Sequence, residues 1–175
     1  FLAELDAEGT CQRIITSDGS MIPTHMAFTS NGSLYLTGSV GKNASIHGRR
    51  LAHPGPQNRF LARFNSTMRC QWIRPQGGTV EGLTTVQEQV VVGGGFHDAF
   101  GAQQPGVTTQ DKLDDDAFIM RIQENGSTRW FQRIKNRGGG PAYNSSKEMY
   151  AGVVLVDSHL VSARTMYDGV YRVVL

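Results

Sequence analysis

Short apolar runs alternate with glycine-rich or polar turns along the whole chain. No run keeps apolar residues at positions i, i+3, i+4 and i+7 for the ten or so residues that an amphipathic helix needs. Apolar runs of this length between turn residues are typical of β-strands. The pattern therefore predicts an all-β protein with almost no helix.

One of these runs, "RFLARF" at residues 59–64, has near copies at "FLAEL" (residues 1–5) and "DAFIMRI" (residues 116–122). A turn, a second strand, a glycine-containing corner and two further strands follow each copy. The sequence predicts one repeat domain over residues 1–175, with four-stranded repeats at residues 1–58, 59–116 and 117–169. The last residues, 170–175, are predicted to be the first strand of a fourth repeat.

The strand "RFLARF" carries apolar side chains on both of its faces. Alternation places Phe60, Ala62 and Phe64 on one face and Leu61 and Arg63 on the other. A strand of this kind belongs to a sheet that is covered on both sides. We therefore expect sheets that stack face to face.

The repeat is similar to the bacterial-type β-propeller repeats that read roughly "DAFVAKL", a turn, "G…W", a glycine pair and "G.VYVTG". The corresponding features here are residues 116–122, Gly126 with Trp130, the glycines at 138–140, and "LYLTG" at residues 34–38. The resemblance implies a propeller-like array, and it implies no reaction.

The chain departs from this pattern in three ways. Ala163 stands where the first two repeats have Gly38 and Gly94, and the loops at residues 39–58 and 95–115 are long. Three repeats are also fewer than the roughly four to eight blades of a closed propeller. We expect either an excerpt of a longer array or an array that other chains complete, since open edges and apolar faces favour self-association.

Composition narrows the class of partner. The formal net charge of +2 is too small to indicate a nucleic-acid surface. No apolar run approaches the roughly 18 to 20 residues that would cross a bilayer, so no membrane span is expected. The expected partners are further copies or other protein chains.

Five of the seven asparagines lie in N-glycosylation sequons, where chance would give about one. They are Asn31, Asn43, Asn65, Asn125 and Asn144. One interpretation is a protein with N-glycans in an extracellular or cell-surface location. The other is that asparagine, glycine and serine are simply turn residues.

Cys11 and Cys70 occupy the same place in neighbouring repeats. A disulfide between them would need Cα atoms within about 7 Å, and equivalent positions in adjacent sheets diverge. The alternative is two thiols that pack like small apolar side chains.

The acidic run at residues 111–116 is the best candidate for a metal, because calcium prefers clustered carboxylates. Its carboxylates belong to Asp111, Asp114, Asp115 and Asp116. The run lacks the spacing of an EF-hand, and a solvated loop is the simpler interpretation. No other cofactor is predicted.

No residues form a recognisable catalytic set, so we predict a protein that is not an enzyme. His97 and Asp98 are adjacent. Trp72 and Trp130 could stack on a sugar, although their matched repeat positions favour packing between sheets. The leading hypothesis is an extracellular glycosylated structural or interaction protein, for example in a filament or surface layer. The alternative is a glycan-binding or enzymatic propeller with its site in the two long loops.

Overall fold

The computed structural model describes residues 1–51, 58–96 and 116–134 in full, and the backbone of three further strands between residues 151 and 174. These residues form strands and turns, with no helix among them, as the sequence predicts. The strands are β1 (Leu2–Leu5), β2 (Cys11–Ile15), β3 (Ser17–Asp18), β4 (Met21–Phe28), β5 (Leu34–Val40), β6 (Ser45–Ile46), β7 (Arg49–Arg50), β8 (Arg59–Phe64), β9 (Cys70–Gln76), β10 (Thr79–Val86), β11 (Gln89–Phe96), β12 (Asp116–Ile122), β13 (Thr128–Ile134), β14 (Ala151–Val156), β15 (His159–Thr165) and β16 (Tyr171–Val174).

The strands form four main antiparallel sheets in chain order. Sheet A is β1-β2, sheet B is β4-β5-β8-β9, sheet C is β10-β11-β12-β13, and sheet D is β14-β15-β16. A small side sheet, β3-β6-β7, is not hydrogen-bonded into any of the four, and it packs against the end of sheet B. Sheets B and C each join the last two strands of one repeat to the first two of the next.

Sheets B and C pack face to face, with the first strand of each sheet in contact, and β14 of sheet D lies in turn against β10 and β11. The hairpin of sheet A covers the opposite face of sheet B through Leu2 and Ile15. The sheets therefore follow one another as a stack in the order A, B, C, D.

Strand β8 shows why the sheets stack. Phe60, Ala62 and Phe64 are buried in the core shared with sheet A, whereas Leu61 is buried in the core shared with sheet C. Arg63 lies on the same face as Leu61 and is only 7% exposed. The predicted burial of both faces of this strand is confirmed.

A glycine in the second strand of sheets B and C lies opposite a β-bulge. Gly38 pairs with Pro23 beside a register shift in β4, and Gly94 pairs with Val80 beside a register shift in β10. Ala163 pairs with Gly152 in sheet D without a register shift. The missing glycine of the third repeat thus coincides with a missing bulge.

The hairpin at Asn31-Gly32 differs from the tight turn with two left-handed residues that this dipeptide favours. Only Gly32 has a positive φ, 79°. Its amide donates to Thr29 O, and the amide of Thr29 donates to Ser33 O. This is a three-residue loop with a single left-handed position, which glycine supplies at low cost.

The described part of the loop at residues 39–58 folds onto sheet B. Its Ala44, Ile46 and Leu51 are buried in the core between sheets A and B. Arg49 Nε donates to Cys70 O at 2.8 Å, and Cys70 N donates to His47 Nδ1 at 3.2 Å. The loop therefore covers one end of the outer strand β9, which protects a sheet edge.

None of the described residues belongs to a helix long and apolar enough to cross a membrane.

Candidate interaction surfaces

Three hairpin turns have the same form and follow the same strand in successive sheets. They lie at residues 6–10, 65–69 and 123–127, and in each the first amide donates to the fifth carbonyl while the fourth amide donates to the first carbonyl. The fourth residue has a positive φ in all three: 82° at Gly9, 57° at Met68 and 86° at Gly126. The turn at residues 29–33 has the same two bonds, so what recurs with the repeat is the place of this turn after the first strand.

The turn of sheet C is held by sheet B through side chains of its last two strands. Trp72 Nε1 donates to Glu124 O at 2.8 Å, and Arg74 Nη1 donates to Gly126 O. Arg63 forms an ion pair with the Glu124 carboxylate. We call Arg63, Trp72 and Arg74 the turn clasp of sheet B.

Close packing at the clasp requires a glycine in the turn. A Cβ atom at Gly126 would lie 3.2 Å from the Trp72 ring, and Tyr35 packs against the same indole with ring centroids 5.9 Å apart. The Trp72 ring therefore packs between sheets B and C, against Gly126 and Tyr35. This supports the packing interpretation for Trp72.

The arginines of the clasp are buried cations. Burial lowers the pKa of Arg74 to about 10, and its Nε and Nη2 atoms are buried without a hydrogen-bond partner. Arg63 Nη2 also donates to Ser33 Oγ at 3.1 Å. Arg74 therefore remains charged at neutral pH. A turn that presents carbonyl and carboxylate oxygens suits the guanidinium groups of both residues.

An open polar cleft of about 530 Å³ lies beside the clasp. Its walls carry the carboxylates of Glu88 and Glu124 and the amides of Gln71 and Asn125. Trp72 and Arg63 hold sheets B and C together, so this cleft lies along the contact between the two sheets.

Sheets A and C have residues in register with this clasp. Arg13 pairs with Glu4 as Trp72 pairs with Arg63, and Arg13 Nη1 donates to Thr67 O in the turn of sheet B. In sheet C the corresponding residue is Trp130, which pairs with Arg121. Trp130 is 37% exposed and forms no hydrogen bond with the described part of the chain.

The face of β4 that looks towards sheet A is only partly covered. Met26 and Phe28 lie on this face, opposite the buried residues Leu36 and Leu34, and are 59% and 58% exposed. The two strands of sheet A do not cover them. They form an uncovered apolar strip beside a buried core.

The structure places four of the five sequon asparagines in or beside turns. Asn31, Asn43 and Asn125 are exposed and Asn65 is partly buried, while Asn144 lies outside the described residues. Asn31, Asn65 and Asn125 each accept a turn hydrogen bond through Oδ1. Their Oδ1 atoms thus support the turns, and the Nδ2 atoms that would carry a glycan make no hydrogen bond with the described residues.

Both cysteines are free thiols in the structure. Cys70 is buried beside the aromatic core of sheets A and B, and burial raises its pKa to about 11, so this thiol is protonated at neutral pH. Cys11 is exposed. The alternative to a disulfide, a thiol that packs like a small apolar side chain, therefore holds for Cys70. It does not hold for Cys11, because sheet A is covered less completely than sheet B.

Asp116 is the one residue of the acidic run that the structure describes. It is 3% exposed, and its Oδ2 accepts a hydrogen bond from Arg133 Nε at 2.6 Å. Asp111, Asp114 and Asp115 lie outside the described residues, as do His97 and Asp98. Within residues 1–51, 58–96 and 116–134, no three His, Cys, Asp or Glu residues are grouped so that they could hold a metal ion.

The sequence singled out Trp72 and Trp130 and favoured packing between sheets for both, but it gave no sign of the other clasp residues. Arg63, Arg74 and Glu124 are ordinary charged residues in the sequence, and only strand register brings them together. The signal that could have found them is the joint repeat of Trp72 with Trp130 and of the turn at residues 65–69 with that at residues 123–127.

No family model matches this chain, and no curated protein is similar enough in sequence to count as a match. The functional argument therefore depends on the structure and the sequence pattern.

Proposed function

We propose that this protein is an extracellular or cell-surface structural protein that assembles, through the faces and edges of its sheets, with copies of itself or with partner chains. The observation that carries the proposal is the uncovered strip of Met26 and Phe28 beside the buried core of sheet B. Within the same chain β10 packs against the other side of β4, and β14 packs against β10. A strand from another molecule would complete the same series.

The arrangement we propose for the sheets is that of a propeller-like array. The support is the chain order of the sheets, the face-to-face contact of their first strands, and the recurrence of one turn form in sheets A, B and C. Such repeats gain stability from their neighbours, so the uncovered strip of Met26 and Phe28 favours association.

A double substitution tests the apolar strip. Replacing Met26 and Phe28 by threonine should weaken association by about 30-fold or more, the size expected when a central apolar contact is lost. Threonine suits a strand, so the fold should survive. Ile22→Thr is the matched control, because Ile22 is 61% exposed on the opposite face of β4.

Sedimentation velocity over a wide concentration range measures the effect. Equal association of the double variant and the Ile22→Thr control would mean that the strip is no interface. The proposal would then be withdrawn in its present form.

The extracellular and glycosylated part of the proposal has its own test. Material from a eukaryotic secretory host should lose mass stepwise on enzymatic removal of N-glycans, with up to five steps, because the described sequons lie in or beside turns. Replacing Asn43 by glutamine should remove one step. An unchanged mass of the secreted wild-type protein would mean that these asparagines are turn residues only.

A further inference from the structure

An open cleft of about 570 Å³ lies beside β9, at the edge of sheet B opposite to β4. The hairpin β6-β7 forms one wall, and the start of β9 with the turn before it forms the other. The lining residues are His47, Arg49, Arg69, Cys70 and Gln71. Two of the five are arginines and none carries a carboxylate, so the walls favour an anionic ligand.

A tight turn at the tip of the hairpin β6-β7 fixes the first wall. Ile46 pairs with Arg49, so the loop between the two strands has only two residues. Both have a positive φ, 48° at His47 and 71° at Gly48, as in the turn that matches the twist of a two-residue hairpin. The turn therefore holds His47 and Arg49 in defined positions on either side of Gly48.

Main-chain groups of β9 orient the two side chains of this wall. Arg49 Nε donates to Cys70 O at 2.8 Å, and Cys70 N donates to His47 Nδ1 at 3.2 Å. Because Nδ1 accepts this bond, the proton of the neutral imidazole is on Nε2, which makes Nε2 a donor. Neither His47 Nε2 nor the Nη atoms of Arg49 form a hydrogen bond with the described residues. These donors therefore remain for a ligand.

Arg69 brings a second guanidinium group from the opposite wall. Its amide donates to Asn65 Oδ1 and its carbonyl accepts from Asn65 N, so the turn fixes its backbone. Its guanidinium forms no hydrogen bond or ion pair within the described part of the chain. Beside it, Gln71 Nε2 donates to Arg69 O at 3.2 Å. The charge of Arg69 is thus left for a partner outside these residues.

The direction of the donors indicates the kind of anion. They approach the cleft from the hairpin tip at His47, from β7 at Arg49 and from the turn at Arg69. A carboxylate presents two oxygen atoms in one plane, whereas a tetrahedral oxyanion presents oxygen atoms on several sides. Arginine forks bind such groups through paired hydrogen bonds. The cleft therefore suits a sulfate or phosphate group.

We propose that this cleft binds a tetrahedral oxyanion, a sulfate or phosphate group, held by the guanidinium groups of Arg49 and Arg69 and by the His47 ring. The inference goes beyond the proposed assembly and does not depend on it, because the cleft and the strip of Met26 and Phe28 lie at opposite edges of sheet B. A free ion and an ester group on a polysaccharide share this chemistry, and the test separates the two sources.

The test compares two variants that remove the same charge. Arg69→Gln removes a guanidinium that lines the cleft and has no partner among the described residues. Arg50→Gln is the matched control, because Arg50 is exposed and alternation along β7 places it on the other face of the hairpin from Arg49. His47→Asn removes the imidazole and keeps the turn, since asparagine followed by glycine favours two left-handed positions.

Binding is followed through the amide NMR signals of dilute, isotope-labelled protein. The probes are inorganic sulfate, inorganic phosphate and heparin, a sulfated polysaccharide, with sodium chloride keeping the ionic strength constant because salt screens exposed charges. The same spectra verify that each variant is folded.

We expect the amides of Gly48 and Gln71 to shift saturably with sulfate or phosphate. Arg69→Gln should raise Kd at least about 10-fold through the loss of a charge-assisted hydrogen bond, and His47→Asn should raise it about 5-fold. Arg50→Gln should change Kd by less than about 2-fold, because an exposed charge outside the cleft contributes little.

The polysaccharide separates the two sources of the anion. Heparin that binds more tightly than inorganic sulfate, with the same loss in Arg69→Gln, would support an ester group on a polysaccharide. Inorganic ions that bind as tightly as heparin would support a small anion.

The proposal would be overturned if neither inorganic ion shifted the signals more than chloride does. It would also be overturned if Arg50→Gln weakened binding as much as Arg69→Gln, because the surface would then be basic without a defined site. Both results would leave the test of association at Met26 and Phe28 unaffected.

Discussion

Replacing Gly94 by alanine should destabilise the protein by at least about 3 kcal/mol, one of the largest effects expected of a single methyl group. A Cβ atom at Gly94 would lie 1.8 Å from Thr79 O in the paired strand and 3.2 Å from the Phe118 ring. Both neighbours are held by the sheet, so the strand β10 would have to move. Gly38→Ala should act in the same way in sheet B, where the added Cβ would lie 2.1 Å from Ile22 O.

Urea unfolding of dilute protein measures this effect, with Gly48→Ala as the control. Gly48 has open space around it, so its replacement should cost only about 1 kcal/mol, the penalty for a left-handed backbone. Equal unfolding midpoints for Gly94→Ala and Gly48→Ala would show that β10 does not carry the bulge opposite Gly94. The bulges of sheets B and C would then need another explanation.

The two tryptophans should differ strongly in their contribution to the stability of a single copy. Trp72→Ala should cost about 3 kcal/mol, because it removes packing against Gly126 and Tyr35 and leaves Glu124 O without its indole donor. Trp130→Ala should cost about 1 kcal/mol or less, because this side chain is 37% exposed and donates no hydrogen bond to the described residues.

The comparison is made by urea unfolding at a concentration low enough that the wild type is monomeric. The two variants remove the same side chain at equivalent positions, so each is the control for the other. A loss of stability at Trp130 as large as that at Trp72 would mean that Trp130 is also packed between sheets within one copy.

Much of the fold could be predicted from the sequence because it depends on local pattern. The alternation in "RFLARF" gave the two buried faces of β8, and the absence of a helical period gave the all-β class. The grouping of strands into sheets could not be predicted in this way, because repeat boundaries do not say which hairpins pair. Sheets B and C each span two repeats.

The interaction surfaces were harder to predict. Trp72 and Trp130 were found because they occupy matched repeat positions. Arg63, Arg74 and Glu124 acquire their roles only through register and through the approach of two sheets. The exposure of Met26 and Phe28 could not be predicted either, because an apolar strand has the same sequence pattern whether or not a neighbouring sheet covers it. Asp116, one of the calcium candidates, is instead paired with Arg133 across two strands.

Electron microscopy of the native protein at a concentration where it associates tests the central claim most directly. The proposed assembly predicts particles in which neighbouring copies, or partner chains, cover the strip of Met26 and Phe28. Separate single copies at every concentration, with the strip uncovered, would contradict association between copies.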